Sequence, residues 1–280
     1  MTTTADRAPV TVAELVAAIS EQRRGVEAQP QPASALTAVA QGVPPTAAPL
    51  LILGAHPGAG ASSVAVAIAD ALATRSETGA SEGLVRLVDA APQATSGLVC
   101  AADRELGVDP NGWRIGRRGV VEVHRPVGTL SQPHQLPGLA AFDSGWLVVD
   151  AGWPIRELLA SPNPLGSLLT SASVVLVCRS TVPGVRRAEL ALGVLPGRPV
   201  VVAVGTRRWP GQVQASFGPL LRAAYDGGRV ALLPADRRLE VNGIDALPLP
   251  KAFTAAATRL LDLICPGTQA VRAHRTKDRA

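Results

Sequence analysis

The chain has 280 residues, of which 47% are hydrophobic and only 3% aromatic, so Val, Leu, Ile and Ala must fill its core. All of its 27 basic residues except Lys251 and Lys277 are arginine, which suggests a bacterial genome rich in G and C. The net charge is a modest +5, and the three cysteines are too widely spaced for a disulfide framework or a zinc site. Scattered arginine pairs leave weak attraction to nucleic acid open, but they lack the dense basic stripe of a dedicated binder.

The first predicted element is a short amphipathic helix over residues 11–24. Thr11 and Glu14 fit a capping box, and the apolar residues that follow share one face. Residues 25–47 are rich in Pro, Ala, Gln and Gly, which is typical of a flexible linker. The helix is either an extra packing element for the main domain or a docking peptide for a partner protein. We therefore assign residues 1–47 to a flexible N-terminal segment.

From residue 48 onward, strand-like and helix-like segments alternate. The predicted strands are LLILG (50–54), LVRLVD (84–89), VVEVH (120–124), WLVVD (146–150), VVLVC (174–178), VVVAVG (200–205) and VALLP (230–234). The predicted helices cover 62–75, 154–160, 184–194, 211–225 and 250–264. Because the apolar runs do not alternate strictly, we expect an α/β fold with a mostly parallel central sheet and helices on both faces. This domain spans 48–265, and the basic tail at 266–280 follows it.

The chain shows no sign of export or of membrane insertion. Its N-terminus, MTTTADRAPV, lacks the basic start and apolar core of a secretory signal. No apolar stretch reaches the length of a spanning helix, so we expect no integral membrane segment. We therefore expect a soluble, cytoplasmic protein.

A glycine-rich loop lies between the first predicted strand of this domain and its first helix. The stretch LLILGAHPGAGASSVAVAIADAL (50–72) enters as an apolar strand, turns through GAHPGAGASS and leaves as an alanine-rich helix. This is the context of a phosphate-binding loop, in which successive backbone amides and a helix N-terminus point at an anion. Ala61 stands where such a loop carries lysine, directly before Ser62 and Ser63.

Together with three later segments, this loop resembles the ParA/MinD family of P-loop NTPases, the SIMIBI-class group with a deviant Walker A motif. The loop stands where the family has K-G-G-x-G-K-[ST]-[ST], so that His56 and Ala61 replace its two lysines. The other segments are LVDAAPQATSGL (87–98), WLVVDAGWP (146–154) and VALLPADRRLEVNG (230–243), the last followed by LPKAF (249–253). Their order and spacing match the family over about residues 48–265, which implies a three-layer P-loop NTPase domain.

The resemblance implies a nucleotide site at the carboxyl edge of the sheet. Asp89 and Asp150 take the positions of catalytic carboxylates, and Ser62 and Asp150 those that hold Mg²⁺. The residues placed along ATP or ADP are His56, Pro57, Gly58, Ala59, Gly60, Ala61, Ser62, Ser63, Arg179, Thr206, Pro234 and Asp236. The resemblance also implies a homodimer, in which the lysine replaced here by His56 would reach the partner's nucleotide.

The loss of the Walker lysine leaves three functions open. The first is a regulatory or scaffolding factor in partition, positioning or DNA transfer, with weak ATP or ADP binding and little or no hydrolysis, because transfer depends on positioning and charge stabilisation. The second is a working ATPase in which an arginine or His56 replaces the lysine. The third is an interaction protein that uses no nucleotide. His56 is either a weak cationic substitute or a polar turn residue.

Overall fold

The structure, a computed structural model, describes residues 49–77, 83–139 and 145–265. They contain a nine-stranded sheet with the order β3-β4-β5-β2-β6-β1-β7-β8-β9. The strands are β1 (Leu50–Gly54), β2 (Val85–Asp89), β3 (Arg104–Val108), β4 (Trp113–Arg118), β5 (Val121–Pro126), β6 (Trp146–Asp150), β7 (Ser173–Arg179), β8 (Val200–Val204) and β9 (Val230–Leu233). All pairs are parallel except β3 with β4 and β4 with β5, so the predicted, mostly parallel α/β fold is confirmed.

Helices cover both faces of the sheet. They are α1 (Ala61–Glu77), α2 (Ile155–Ala160), α3 (Pro164–Ser171), α4 (Val182–Leu192), α5 (Gly211–Ala215), α6 (Pro219–Asp226), α7 (Arg237–Asn242) and α8 (Lys251–Ile264). Alternate residues of one strand enter different cores: Leu50 and Ile52 pack with α1 and α8, whereas Leu51 and Leu53 pack with α3 and α4. Strands that are buried on both faces require continuous apolar runs, and this explains their lack of strict alternation.

The hairpin of β3 and β4 was not predicted from the sequence. It extends the sheet beyond β5, and all five residues of β3 are exposed. Its turn is DPNG: Asp109 accepts hydrogen bonds from the amides of Asn111 and Trp113, and Gly112 has φ +86°. Asn-Gly between alternating runs is a strong hairpin signal, so the turn was readable although the flanking polar strands were not.

The single helix predicted over 211–225 is wrong. The chain forms α5 and α6 instead, separated by Ser216, Phe217 and Gly218. Pro219 at the start of α6 cannot donate a helical hydrogen bond, so it begins a new helix. The carboxylate of Glu189 on α4 accepts bonds from the first amides of α6, and a side chain at 218 would collide with that carboxylate. A tertiary contact thus sets this helix start.

Arg118 ties the hairpin to the glycine-loop helix. Its side chain is 4% exposed, and its Nε donates to the Asp70 carboxylate on α1 at 3.1 Å. Its terminal nitrogens donate to the carbonyls of Ala101, Asp245 and Leu247. One guanidinium therefore joins β4, α1, the loop after β2 and the loop before α8.

Three predicted segments lie outside the described residues: the amphipathic helix at 11–24, the linker at 25–47 and the tail at 266–280. Within the described ranges, no helix is long and apolar enough to cross a membrane.

Candidate functional site

The glycine loop and both predicted carboxylates meet at the carboxyl edge of the sheet. The order β2-β6-β1-β7 places the end of β6, which carries Asp150, between Asp89 and the loop after β1. Asp89 and Asp150 are partners in the register of β2 and β6. Ligands of open α/β sheets bind at this edge. The structure therefore brings the predicted loop and both predicted carboxylates together at one edge of the sheet.

The loop keeps the backbone form of an anion cradle. Gly58 and Gly60 have φ values of +72° and +94°, a region that L side chains rarely adopt. A Cβ at Gly60 would lie 3.4 Å from Val204 of β8, so the loop also packs closely there. Within the loop, the Ala59 amide donates to His56 O, and the Val64 amide donates to Gly60 O.

Other loop amides donate to no protein acceptor within the described residues. They belong to Gly58, Gly60, Ala61, Ser62 and Ser63. The last three open the first turn of α1, where amides have no intrahelical partner. Orphan amides at a helix N-terminus attract anions. The cradle can therefore still receive a phosphate group.

Asp150 is the least satisfied polar residue at this edge. Its side chain is fully buried, and neither carboxylate oxygen has a hydrogen-bond partner within the described residues. Burial and the neighbouring Asp89 raise its pKa to about 7; the Ser62 hydroxyl opposes this rise but does not reach hydrogen-bond geometry. Buried polar groups normally have a hydrogen-bond partner, so a buried carboxylate without one needs an explanation, such as an absent ion. A cation held between Ser62 and Asp150 would supply one.

Asp89 differs from Asp150 because its oxygens are occupied. Ser96 donates its hydroxyl to one oxygen at 2.5 Å, and the Ala91 amide donates to the other at 3.2 Å. Burial raises its pKa, and both bonds oppose that rise. Asp89 therefore accepts two hydrogen bonds within the chain, whereas Asp150 accepts none from the described residues.

Residues 92–98, which we call the cover segment, close over Ser62. A Cβ at Gly97 would lie 2.6 Å from Ser62 Oγ, so only glycine permits this approach. The segment is fixed by buried Leu98 and by the bond from Ser96 to Asp89. Sequence reasoning missed Ser96 and Gly97. The spacing of Asp89 and Ser96 carries no recognised motif, and the contact at Gly97 depends on tertiary structure.

His56 is held within the loop. Its Nδ1 donates to Pro57 O at 2.8 Å, while its Nε2 accepts from the Arg179 amide at 3.4 Å. Both ring nitrogens are therefore already engaged within the chain. This geometry favours the polar turn residue over the cationic substitute.

Arg179 lies at the end of β7 but is already paired. Its guanidinium donates to Glu240 on α7 at 2.7 Å. The guanidinium also lies against Gly205, where a Cβ would be 3.7 Å from Arg179 Cζ. Arg179, which the sequence offered as a replacement for the missing lysine, is therefore paired with Glu240 on the base side and is not available to the glycine loop.

The three predicted base-side residues form local contacts. The Thr206 hydroxyl donates to Arg208 O, and the Asp236 carboxylate caps α7 by accepting from the Leu239 amide at 3.2 Å. Pro234 is buried at the end of β9. All three lie at the carboxyl edge, and the hydrogen bonds of the Thr206 and Asp236 side chains are to nearby backbone.

No cluster of three or more His, Cys, Asp or Glu residues that could hold a metal occurs in the described ranges. Mg²⁺ is commonly bound through one or two carboxylates together with substrate phosphates and water. Ser62 and Asp150 fit that kind of site, in which the nucleotide supplies further ligands.

Solved structures of P-loop ATPases resemble this chain at low sequence identity. A ParA family ATPase from Chlorobium tepidum matches with a TM-score of 0.52 and 14% identity, over 76% of this chain and 97% of that chain. The MinC:MinD cell division protein complex from Aquifex aeolicus contains a chain that matches with a TM-score of 0.49 and 17% identity, over 77% and 96%. The cell division ATPase MinD from Pyrococcus furiosus matches with a TM-score of 0.46 and 16% identity, over 76% and 97%.

No protein-family model and no curated protein sequence matches the chain. Likeness at 14% identity shows the fold alone, and the Chlorobium protein carries that conclusion. The fold is that of the ParA-type P-loop ATPases, as the four sequence segments predict.

Proposed function

We propose that this chain is a ParA/MinD-like P-loop protein whose nucleotide site has decayed. It binds the magnesium complex of ATP or ADP weakly, through backbone amides, and hydrolyses it little or not at all. It acts as a regulatory or scaffolding factor in partition, positioning or DNA transfer. The process rests on the resemblance of the sequence, and a cytoplasmic location and a homodimer belong to the same proposal.

The orphan carboxylate of Asp150 carries the nucleotide part of the proposal. This carboxylate is buried beside Ser62 and near loop amides that have no acceptor among the described residues. Such unsatisfied groups lower the stability of the fold unless a ligand compensates. A magnesium ion bound to phosphate would neutralise Asp150 and occupy the amides with one ligand. Gly97 lies so close to Ser62 that the cover segment must move to admit it.

Weak turnover follows from the missing cations. Ala61 provides a methyl group where a lysine would stabilise charge that develops during transfer, and two opposite unit charges 4 Å apart attract by about 4 kcal/mol at an effective dielectric constant of 20. Both ring nitrogens of His56 are engaged within the chain, and Arg179 is paired with Glu240. Catalysis of phosphoryl transfer depends on such charges, so hydrolysis suffers more than binding.

Calorimetric titration with Mg-ATP and with Mg-ADP tests the proposal on three proteins: the wild-type chain, Ala61→Lys and Asp150→Ala. We expect the wild type to bind weakly. Ala61→Lys should bind about tenfold to a hundredfold more tightly, since 1.4 kcal/mol is a factor of ten in affinity. Asp150→Ala should lose magnesium-dependent binding. Ala61→Gln is the matched uncharged control and should bind as weakly as the wild type.

Phosphate release distinguishes the alternatives. Rapid turnover by the wild type that Asp150→Ala abolishes would instead establish a working ATPase. Failure of folded wild type and folded Ala61→Lys to bind either nucleotide, with unchanged melting temperatures, would leave the nucleotide-independent interaction protein.

A further inference from the structure

Strand β9 forms one edge of the sheet, and its outward peptide groups lack a partner strand within the described residues. The Val201 amide donates to Arg229 O, and the Gly205 amide donates to Leu233 O, both at 2.9 Å. Residues 229 and 233 thus face β8, and because the direction alternates along a strand, the amides and carbonyls of Val230 and Leu232 point away from it. An exposed edge of this kind is a template for another strand.

A groove of about 550 Å³ runs beside this edge. The side chains of Val230 and Leu232 line it together with Trp209, Gln214 and Tyr225. Trp209 is 8% exposed, and its indole N–H is buried with no partner in the part of the chain described. A buried indole N–H normally finds an acceptor, and this one has none among the described residues.

The groove is electropositive. Residues 205–232 carry four arginines and one aspartate, and no glutamate or lysine. Arg207 and Arg208 line the groove and are exposed, whereas Arg222 bonds to Gln214 O and stacks on Phe217. Charge complementarity therefore favours an acidic ligand.

We propose that an extended acidic segment of a partner protein binds along β9 as an additional strand. Its main chain pairs with the outward peptide groups of Val230 and Leu232, and alternate apolar side chains enter the groove toward Trp209. On the face of the segment that enters the groove, acidic residues flank these apolar side chains and meet Arg207 and Arg208. Strand addition of this kind gives affinity through the main chain and specificity through side-chain pockets.

The edge favours a peptide over a nucleic acid. The outward groups of Val230 and Leu232 form donor–acceptor pairs two residues apart, roughly 6.6 Å along the strand, which is the repeat of a peptide main chain. β9 has only four residues and ends before Pro234, so the bound motif is short. This surface is separate from Ser62 and Asp150, and the inference does not depend on nucleotide binding.

Fluorescence anisotropy with the full-length chain tests the inference. The probe is a labelled heptapeptide, Glu-Thr-Val-Thr-Val-Thr-Glu, whose glutamates and valines share one face of the extended chain. One control peptide replaces each glutamate with lysine, and a second keeps the sequence but carries N-methyl groups on the amides of one edge. We expect the acidic peptide to bind at least tenfold more tightly than either control.

The protein variant Arg207→Glu/Arg208→Glu should weaken binding of the acidic peptide by about tenfold or more. Arg186→Glu/Arg187→Glu is the matched control, because it reverses another exposed arginine pair, on α4, and should change binding less than twofold. Hydrogen exchange should slow at the amides of Val230 and Leu232 when the acidic peptide is bound.

Equal affinity for the acidic and N-methylated peptides would overturn strand addition, since no main-chain pairing would then be involved. Tighter binding of an oligo-dT strand that displaces the peptide would overturn it in favour of nucleic acid. Protection of the same two amides by self-association, without peptide, would overturn it in favour of a second copy of this chain.

Discussion

The two halves of the carboxyl edge differ in how their polar groups are satisfied. On the phosphate side, both oxygens of Asp150 lack a partner among the described residues, and amides of the glycine loop remain unbonded. On the base side, the Thr206 hydroxyl and the Asp236 carboxylate each bond to nearby backbone. The polar groups named on the base side thus bond within the chain, whereas those named on the phosphate side do not.

This difference indicates which half of the proposed site would gain stability from a ligand. Buried polar groups without partners destabilise a protein, so a fold that keeps them without use is at a disadvantage. Local caps and turns need no ligand to be stable. We therefore expect nucleotide recognition here to come from phosphate and metal contacts, with little discrimination between bases.

Arg118→Met should have the largest effect, because this buried guanidinium joins β4, α1 and the loop before α8. Its removal leaves the Asp70 carboxylate and the carbonyls of Asp245 and Leu247 without their donor. Breaking a buried ion pair by removing one partner costs about 3–5 kcal/mol. Urea denaturation should show this loss in the free energy of unfolding.

Arg114→Met is the control for that measurement, since Arg114 lies on the same strand and is exposed. It should change the free energy of unfolding by about 0.5 kcal/mol or less. Similar values for both variants would show that the buried contacts of Arg118 add no stability.

Asp150→Asn should change how stability depends on pH. The folded-state pKa of Asp150 is raised to about 7 from 3.8, so between these values the folded chain holds a proton that the unfolded chain releases. The free energy of unfolding therefore falls as pH rises from about 4 to 7, by up to about 4 kcal/mol at 1.36 kcal/mol per pKa unit. The variant lacks this loss and should be the more stable protein at pH 8.

The measurement is urea denaturation of both proteins at pH 5 and pH 8. Burial lowers the pKa of His124, which reduces stability at acidic pH, but both proteins share that effect. The difference between them therefore isolates Asp150. Parallel pH profiles would mean that Asp150 is ionised in the folded chain and already has a partner.

The same contrast explains what the sequence could predict. The strand ends of Asp89 and Asp150, and the glycine turn before Ser62, follow from local apolar runs and spacing, and the structure places all three at one edge. The orientation of His56 depends on the Arg179 amide, 123 residues away in the chain, and the closeness of Gly97 to Ser62 depends on packing. Such contacts leave no pattern in a single sequence.

Gly97→Ala should lower the stability of the protein by an intermediate amount, through a change on the phosphate side. Its Cβ would lie 2.6 Å from Ser62 Oγ, so either the cover segment or the start of α1 must shift. Overpacking of this kind costs about 1–3 kcal/mol. Thermal denaturation should show a lower melting temperature than for Gly128→Ala, where a Cβ meets nothing within 4 Å.

If the cover segment is what shifts, hydrogen exchange in Gly97→Ala should accelerate over residues 92–98 and not over α1. Exchange that accelerates in α1 alone would show that the segment is the more rigid partner, which would contradict its movement during ligand entry.

Asp236→Ala should have the smallest effect and should stay confined to the base side. The carboxylate caps α7 through the Leu239 amide, and loss of a helix cap costs about 1 kcal/mol. Asp236→Asn retains a capping oxygen, so it should unfold like the wild type. Because the carboxylate already caps α7, we expect calorimetric binding of Mg-ATP to be unchanged in both variants. Weaker binding in Asp236→Asn, with unchanged stability, would show that the carboxylate contacts the nucleotide and that the base side is not complete on its own.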